Sequence, residues 1–371
     1  MRDKVLTFFF ILLITSQVYG LVLAPGTTLQ EKRKFAEIPE FKTASLIEGS
    51  FYSKLGKFLD DRYPYRSTLI IVKNWIDFYI FKTSPSPKVH IGTDGWLYLK
   101  KGMSSYFKDD CKRRAAARNL ARELNMVEKY FKSFGKRFFF VVAPDKATIY
   151  PEYVGVERAS HSCGKSFYDL FIDALEEYPL QGFIRLDKLL IEAKKDSQLY
   201  YQKGTHWNDQ GALLASNAIL QRLSTQSVNY KTPEIIFKEV ERRQDLAVMF
   251  ALDLKDKSYF AGMRNKDINF TVKKLPPRRQ DKEYNLKIRA NSNQGYPLLP
   301  RAIIYRDSFM ITPLYMIANS FKEIDAIWTY KIPLAPEIDL DALRVSKIVI
   351  IEVVERFLHD VQFNENALKM L

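Results

Sequence analysis

Three stretches of this chain are apolar at nearly every position: Arg137 to Ala143 (RFFFVVA), Ala302 to Tyr305 (AIIY) and Lys347 to Glu352, which continues into Val353-Val354. A strand with one face in water alternates apolar and polar residues, whereas a strand covered on both faces does not. Helical patterns lie between these runs. They cover Arg114 to Phe134, closed by Gly135; Lys165 to Tyr178; Asp187 to Lys195; and a helix capped by Asn208 or Asp209 that runs to Leu223. Shorter strands are expected at Gly182 to Leu186 and Ile324 to Ile327. Apolar strands alternating with helices predict an α/β fold, a parallel sheet with helices on both faces. In such sheets the ligand site lies beyond the C-terminal ends of the strands.

Upstream of this core the chain has a different character. After Met1-Arg2-Asp3-Lys4, the run Val5 to Ala24 carries no charge. About 20 apolar residues suffice to cross a bilayer's hydrocarbon core. Arg2 and Lys4 would hold the N-terminal flank in the cytoplasm and send the body outside it. Residues 1–24 therefore predict a signal anchor; a cleaved signal peptide ending near Val18-Tyr19-Gly20 is the alternative, and both export the body. Residues 25–83 predict a polar linker followed by helices, with Phe51, Leu55, Phe58 and Leu59, then Leu69, Ile70, Trp75 and Phe78, at helical spacing around Tyr63-Pro64. Residues 84–371 form the main domain, opening with two short strands around Gly92-Thr93-Asp94-Gly95. Within it, residues 224–300 are basic and hold few strand signals; Pro276-Pro277-Arg278-Arg279 suggests an insertion or lid.

The formal net charge of +14 favours anionic partners: acidic polysaccharide, anionic lipid or nucleic acid. Nucleic acid is excluded as the expected partner, because the chain has no recognition-helix signature, zinc-finger spacing or aromatic RNA-binding motif. Its two cysteines, Cys111 and Cys163, are candidates for a disulfide in an oxidising compartment. With four histidines and no HExxH or CxxC spacing, neither a metal nor a cofactor is expected.

Four segments are placed for chemistry. Pro144-Asp145-Lys146, Arg306-Asp307-Ser308-Phe309 and Glu355-Arg356 each follow a predicted strand, and Gly204-Thr205-His206-Trp207 precedes a helix. A serine at a strand end can act as a nucleophile if a histidine takes its proton and backbone N–H groups hold the oxyanion. Spacing alone carries this weakly, since an Asp-Ser pair is more often a helix cap.

The ordered set of motifs is more specific. Glu31-Lys32-Arg33, Asp61-Arg62-Tyr63-Pro64-Tyr65-Arg66, Gly92-Thr93-Asp94-Gly95-Trp96-Leu97-Tyr98, Pro144-Asp145-Lys146 with Tyr150-Pro151, Thr205-His206-Trp207 with Gly211, Asp245-Leu246-Ala247, Asp307-Ser308-Phe309 and Val354-Glu355-Arg356-Phe357-Leu358 span residues 31–358. In this order they resemble the SGNH-like O-acetyltransferases of the alginate acetylation machinery, the AlgJ and AlgX type. Length and N-terminal run are closest to the membrane-anchored AlgJ-like branch. The resemblance implies a circularly permuted, SGNH-hydrolase-like (flavodoxin-like) fold. It implies acetyl transfer to a polysaccharide hydroxyl through an acetyl-serine, with an MBOAT-type membrane partner delivering the acetyl group. By position, Ser308 matches the nucleophile and His206 the base. Asp307, Arg306, Asp145, Lys146, Trp207, Glu355 and Arg356 are expected to support them.

Two positions depart from the family pattern. The Asp expected two residues before the His is Gly204, and the Gly expected before Asp-Ser is Arg306. Without its carboxylate a histidine loses its orienting partner, so either another carboxylate substitutes (Asp209, Asp196 and Glu355 are the candidates), or a Ser–His dyad works slowly, or catalysis is lost. Arg306 is expected either to burden a tight turn or to attract an anionic sugar. The departures leave two alternatives to the transferase: a catalytically impaired polysaccharide-binding scaffold, and an acetylesterase that uses water as acceptor.

Overall fold

The computed structural model describes residues 4–12, 15, 36–62, 66–157, 162–224, 235–263, 270–275, 285–290, 298–328, 336–361 and 363. They divide into two compact units, one formed by residues 1–86 with 248–253 and the other by residues 87–247 with 254–371.

In the smaller unit, helices span Thr43–Ile47, Ser50–Arg62 and Arg66–Trp75, and the last continues as a π-helical turn over Ile76–Ile80. The unit is tied internally. The Asn74 side chain donates to the Phe250 carbonyl at 2.8 Å, and the Phe78 and Phe250 rings lie 5.5 Å apart. Most of the expected anchor, together with Glu31-Lys32-Arg33 and Tyr63-Pro64-Tyr65, lies outside the described residues. Among the described residues no helix is long and apolar enough to cross a membrane.

The larger unit is built on a seven-stranded sheet among the described residues. In chain order its strands, and those of two smaller sheets, are β1 (Val89–Ile91), β2 (Leu97–Leu99), β3 (Arg137–Ala143), β4 (Phe183–Arg185), β5 (Ile235–Arg243), β6 (Lys255–Met263), β7 (Phe270–Leu275), β8 (Asn285–Ala290), β9 (Ala302–Arg306), β10 (Glu323–Trp328) and β11 (Ile348–Val354). The main sheet runs β4-β3-β11-β9-β10-β8-β7. From β4 to β10 the strands are parallel. Their apolar continuity has the expected cause, since β3 alternates between two cores. Phe139, Val141 and Ala143 pack with the helices Asp209–Leu223 and Ile311–Ile317; Phe138, Phe140 and Val142 pack with the helices Arg114–Ser133 and Phe167–Ala174. Arg114–Ser133 buries Ala117, Leu120, Ala121, Leu124, Val127 and Phe131, one face of a 3.6-residue period. Phe167–Ala174 starts with a Ser166–Asp169 capping box.

The sheet is mixed rather than wholly parallel. β8 and β7 extend it antiparallel beyond β10. Both come from residues 224–300, which are therefore not strand-poor: they also supply the antiparallel ribbon β5-β6. These strands read as polar because they alternate: Phe270, Leu286 and Ile288 are buried in the core, while charged residues between them, such as Lys287 and Arg289, pair with β10. Glu323 faces Arg289 and Asp325 faces Lys287 across β10 and β8. The corresponding contacts are 2.8 Å for Arg289–Glu323 and 3.6 Å for Lys287–Asp325; Lys287 also reaches Glu323 at 3.0 Å, with Arg301–Asp325 at 2.6 Å alongside. Opposite charges facing one another support antiparallel pairing. Pro276-Pro277-Arg278-Arg279 lies outside the described residues.

Cys111 and Cys163 form a disulfide with Cα atoms 6.2 Å apart and a sequence separation of 52. It ties together the approaches to the helices Arg114–Ser133 and Phe167–Ala174. Closing a loop of this length is worth about 4 kcal/mol in the chain-entropy model.

Candidate active site

The register of the parallel strands brings three expected segments to one edge. Ala143 pairs with Val354, so Asp145-Lys146 and Glu355-Arg356 leave the sheet side by side. β9 ends at Arg306 beside them, and Asp307-Ser308 follows. Asp307 is buried and holds this turn from both sides. Its Oδ1 accepts from the Phe309 N–H at 2.8 Å, and its Oδ2 accepts from the Val354 N–H at 2.7 Å. Its own N–H donates to Glu352 at 3.1 Å. Burial, then the neighbouring Asp307 charge, pushes the Glu352 carboxyl well above the usual range. A protonated acid under the turn lets Asp307 keep its acceptor role without a second full charge beside it.

His206 comes from the other side of the site. Asn208 caps the helix Asp209–Leu223, accepting from Gln210 and Gly211 at 3.0 Å each. The preceding segment doubles back: Tyr200 bridges Trp207, and the Tyr201 N–H donates to the His206 carbonyl at 3.1 Å. Trp207 Nε1 donates to the Phe309 carbonyl at 3.1 Å, and the His206 and Phe309 ring centroids lie 4.7 Å apart. These contacts lock the histidine loop to the serine turn. His206 Nε2 and Ser308 Oγ are 2.8 Å apart.

On the far side of the imidazole, Nδ1 is 3.6 Å from Asp245 Oδ2, and Asp245 Oδ1 accepts from the Thr205 N–H at 2.7 Å. About a third of the His206 side chain is exposed (31%). Burial of the rest lowers its basicity from the ordinary histidine value; the Asp245 charge opposes that, Arg356 and Lys146 reinforce it, and Asp307 opposes it. The imidazole is thus neutral, and able to accept a proton, at and somewhat below neutral pH.

The expected substitutes for the missing acid do not reach His206. Asp209 opens the following helix and takes a 3.4 Å contact from the Tyr201 hydroxyl. Asp196 is exposed beyond the helix Asp187–Ala193. Glu355 accepts from the Asp145 N–H at 2.9 Å and from Thr148 Oγ1 at 2.6 Å. Burial first, then the Asp145 charge, pushes Glu355 up to about 8. Asp245 stands 39 residues beyond His206 in the chain, inside the Asp245-Leu246-Ala247 motif. That motif was the only signal for it, and spacing could not convert it into a role.

The remaining expected residues support from behind. Lys146 is buried and donates to the carbonyls of Tyr201, Gln202 and Gly204 at 3.0, 3.1 and 2.6 Å, a three-point clamp on the histidine loop. Burial pulls its ammonium down to about 7. Asp145 and Arg356 form a buried ion pair. Arg306 does not reach outward for a sugar. It is buried over the Trp328 ring at 5.0 Å and donates to the Asp307 carbonyl at 3.2 Å, filling the strand end instead of straining it.

A family model described as "SGNH hydrolase-like domain, acetyltransferase AlgX" matches residues 89–276. The chain belongs to this family. The matched segment holds His206 and Asp245 but ends before Ser308, so Ser308 is located by its distance to His206. The chain is 24% identical over 202 residues to the probable alginate O-acetylase AlgJ of Pseudomonas putida, covering 53% of this chain and 49% of the relative. To the protein of the same name in Pseudomonas aeruginosa it is 27% identical over 199 residues, covering 51% and 46%. The chain spans about half the length of the curated relatives it matches. Among solved structures, Bacillus cereus PatB1 superposes with a TM-score of 0.52 at 15% identity, over 75% of this chain and 98% of that one, a likeness of fold. This member of the AlgX family thus carries the SGNH-like α/β fold, with a mixed sheet and a serine and a histidine in contact at its edge.

Proposed function

We propose that this protein is an O-acetyltransferase that modifies a polysaccharide outside the cytoplasm through an acetyl-Ser308 intermediate. The observation that carries the reading is the 2.8 Å contact between His206 Nε2 and Ser308 Oγ at the C-terminal edge of the sheet. In the first half-reaction Ser308 Oγ attacks the acetyl carbonyl of a donor while His206 Nε2 takes the hydroxyl proton. Collapse of the tetrahedral adduct breaks the bond to the leaving group, which takes that proton from His206. In the second half-reaction a sugar hydroxyl attacks the acetyl-serine, His206 takes its proton, and Ser308 leaves with it. The Phe309 N–H is committed to Asp307. The developing oxyanion must therefore draw on other donors, of which the Ser308 N–H is nearest by connectivity.

Family membership supports acetyl transfer, and the formal charge of +14 suits an acidic polymer. The scaffold alternative rested on the departures at 204 and 306 and on the basic surface; Asp245 Oδ2, 3.6 Å from His206 Nδ1, weakens the first of these grounds. To separate the outcomes, the protein is incubated with an acetyl-ester donor and oligosaccharide. Ser308-dependent acetylation of the sugar is expected. Free acetate alone would make it an esterase, and sugar binding without turnover would make it a scaffold.

The proposal includes an anchor over residues 1–24, the body outside the cytoplasm, and a multi-pass membrane partner of the MBOAT type delivering acetyl groups. The uncharged run Val5 to Ala24 behind Arg2 and Lys4 supports the first two. Protease added to intact spheroplasts should degrade the body. Survival of residues 30–371 under that treatment would overturn the export reading.

A further inference from the structure

We infer that Asp245 has taken over the orienting role of the acid missing at position 204, so that the catalytic histidine is positioned by a side chain from the β5-β6 region. The inference rests on the Ser308–His206 reading above and identifies the third group of the same site.

Three observations carry it. First, Asp245 Oδ2 is 3.6 Å from His206 Nδ1, on the side of the ring away from Ser308. A carboxylate only accepts. It therefore favours the tautomer with hydrogen on Nδ1, which leaves the Nε2 lone pair for the Ser308 hydroxyl. The gap is longer than a formed hydrogen bond, as catalytic contacts often are before substrate binds.

Second, Asp245 is itself held. Its Oδ1 accepts from the Thr205 N–H at 2.7 Å, the amide next to His206 in the chain. The Ala247 N–H donates to the Lys203 carbonyl at 3.3 Å. The Lys203 N–H donates to the buried Asp256 on β6 at 2.8 Å. The β5-β6 region thus grips residues 203–205 at three points, and Lys146 grips the same loop from within the sheet edge.

Third, position 204 has little room for a side chain, and the Asp245 carboxylate already stands beside it. A β-carbon on Gly204 would lie 3.2 Å from Asp245 Oδ1, 3.1 Å from Gln244 Cβ and 2.9 Å from Tyr201 Cβ. The space where a side chain at 204 would begin is already bordered by the Asp245 carboxylate. Glycine at 204 thus fits a loop packed against Tyr201 and Gln244, with the Asp245 carboxylate at its border.

The charged groups around the ring are Asp245, Arg356, Asp307 and Lys146. Asp245→Asn removes one of the two that favour the protonated imidazole and leaves the shape nearly unchanged. We would measure Ser308 modification by a small sulfonyl fluoride, followed by intact mass across pH, and the His206 ring titration by NMR. Asp245→Asn should slow modification about 10²–10⁴-fold and move both pH midpoints downward. Asp245→Glu should retain more activity than Asn. Gly204→Asp alone should be harmful, because it crowds two carboxylates. Modification of Asp245→Asn within threefold of wild type, or slowed with neither midpoint moved, would overturn the inference. If wild-type Ser308 proves inert while the His206 titration still responds to Asp245→Asn, the transferase reading fails and the Asp245–His206 contact stands.

Discussion

Ser308→Ala is expected to abolish acyl-enzyme formation, and His206→Ala to cost about as much. The hydroxyl of an isolated serine is a poor nucleophile at neutral pH; what changes it is the imidazole 2.8 Å from Oγ. Because the two act as one unit, the losses are not additive. In a serine hydrolase, removing either member costs on the order of 10⁶ in turnover, nearly the same as removing both. The double variant should therefore be no slower than either single one. Intact-mass detection of an acetyl adduct after mixing with an acetyl ester checks this directly. Additive losses in the double variant would mean that the 2.8 Å contact does not operate during turnover. The pH dependence has a definite sign. Burial lowers the His206 basicity, so the acid limb of the rate profile should fall below the ordinary histidine value. The active form is neutral His206; activity is lost as pH drops through its pKa and is retained above it.

Arg356→Met should be the most destabilising substitution at the sheet edge. Arg356 and Asp145 have side chains only 5% and 3% exposed. Their pairing is incomplete, since Asp145 Oδ2 and Arg356 Nε are both buried with no hydrogen-bond partner among the described residues. Such a pair adds little net stability over apolar residues of the same shape, yet removing one member strands a buried charge at a cost of about 3–5 kcal/mol. The loss should depend on pH. Burial already raises the Asp145 carboxyl, against the pull of Arg356; without the guanidinium it rises further. A carboxyl with a folded pKa above its unfolded value contributes stability that is full at low pH and lost as pH rises through the folded value. The variant's deficit should therefore be smallest in acid and grow toward neutrality. Asp145→Leu combined with Arg356→Met should recover most of it. Urea midpoints for the single and double variants at two pH values measure both effects. An equal deficit at both pH values would show that Asp145 does not carry the stranded charge.

The pair also explains how Asp145 and Arg356 serve the site without touching the reacting atoms. Asp145 begins the turn that carries Lys146, and Lys146 holds the loop that carries His206. The Arg356 guanidinium lies over the Phe309 ring at 5.3 Å, next to Ser308. A disturbance there should reach the Ser308–His206 distance through packed side chains.

The parallel half of the sheet was legible in the chain itself. Strands covered on both faces must be apolar at every position, so RFFFVVA, AIIY and IVIIEVV announce themselves. The site's place followed from the same runs, because the segments after them leave the sheet at one edge. β7 and β8 were not legible. Their few apolar positions, Phe270, Leu286 and Ile288, enter the core, but they alternate with charges such as Lys287 and Arg289 that meet Glu323 and Asp325 and in sequence read as solvated polar residues. The acid of the site was hidden for a related reason. Gly204 marks a loss at a fixed spacing from His206, a local fact that sequence reports. Its replacement by Asp245 is a distance across two segments far apart in the chain, 3.6 Å to the ring and 2.7 Å to the Thr205 amide, and only the folded β5-β6 region creates it.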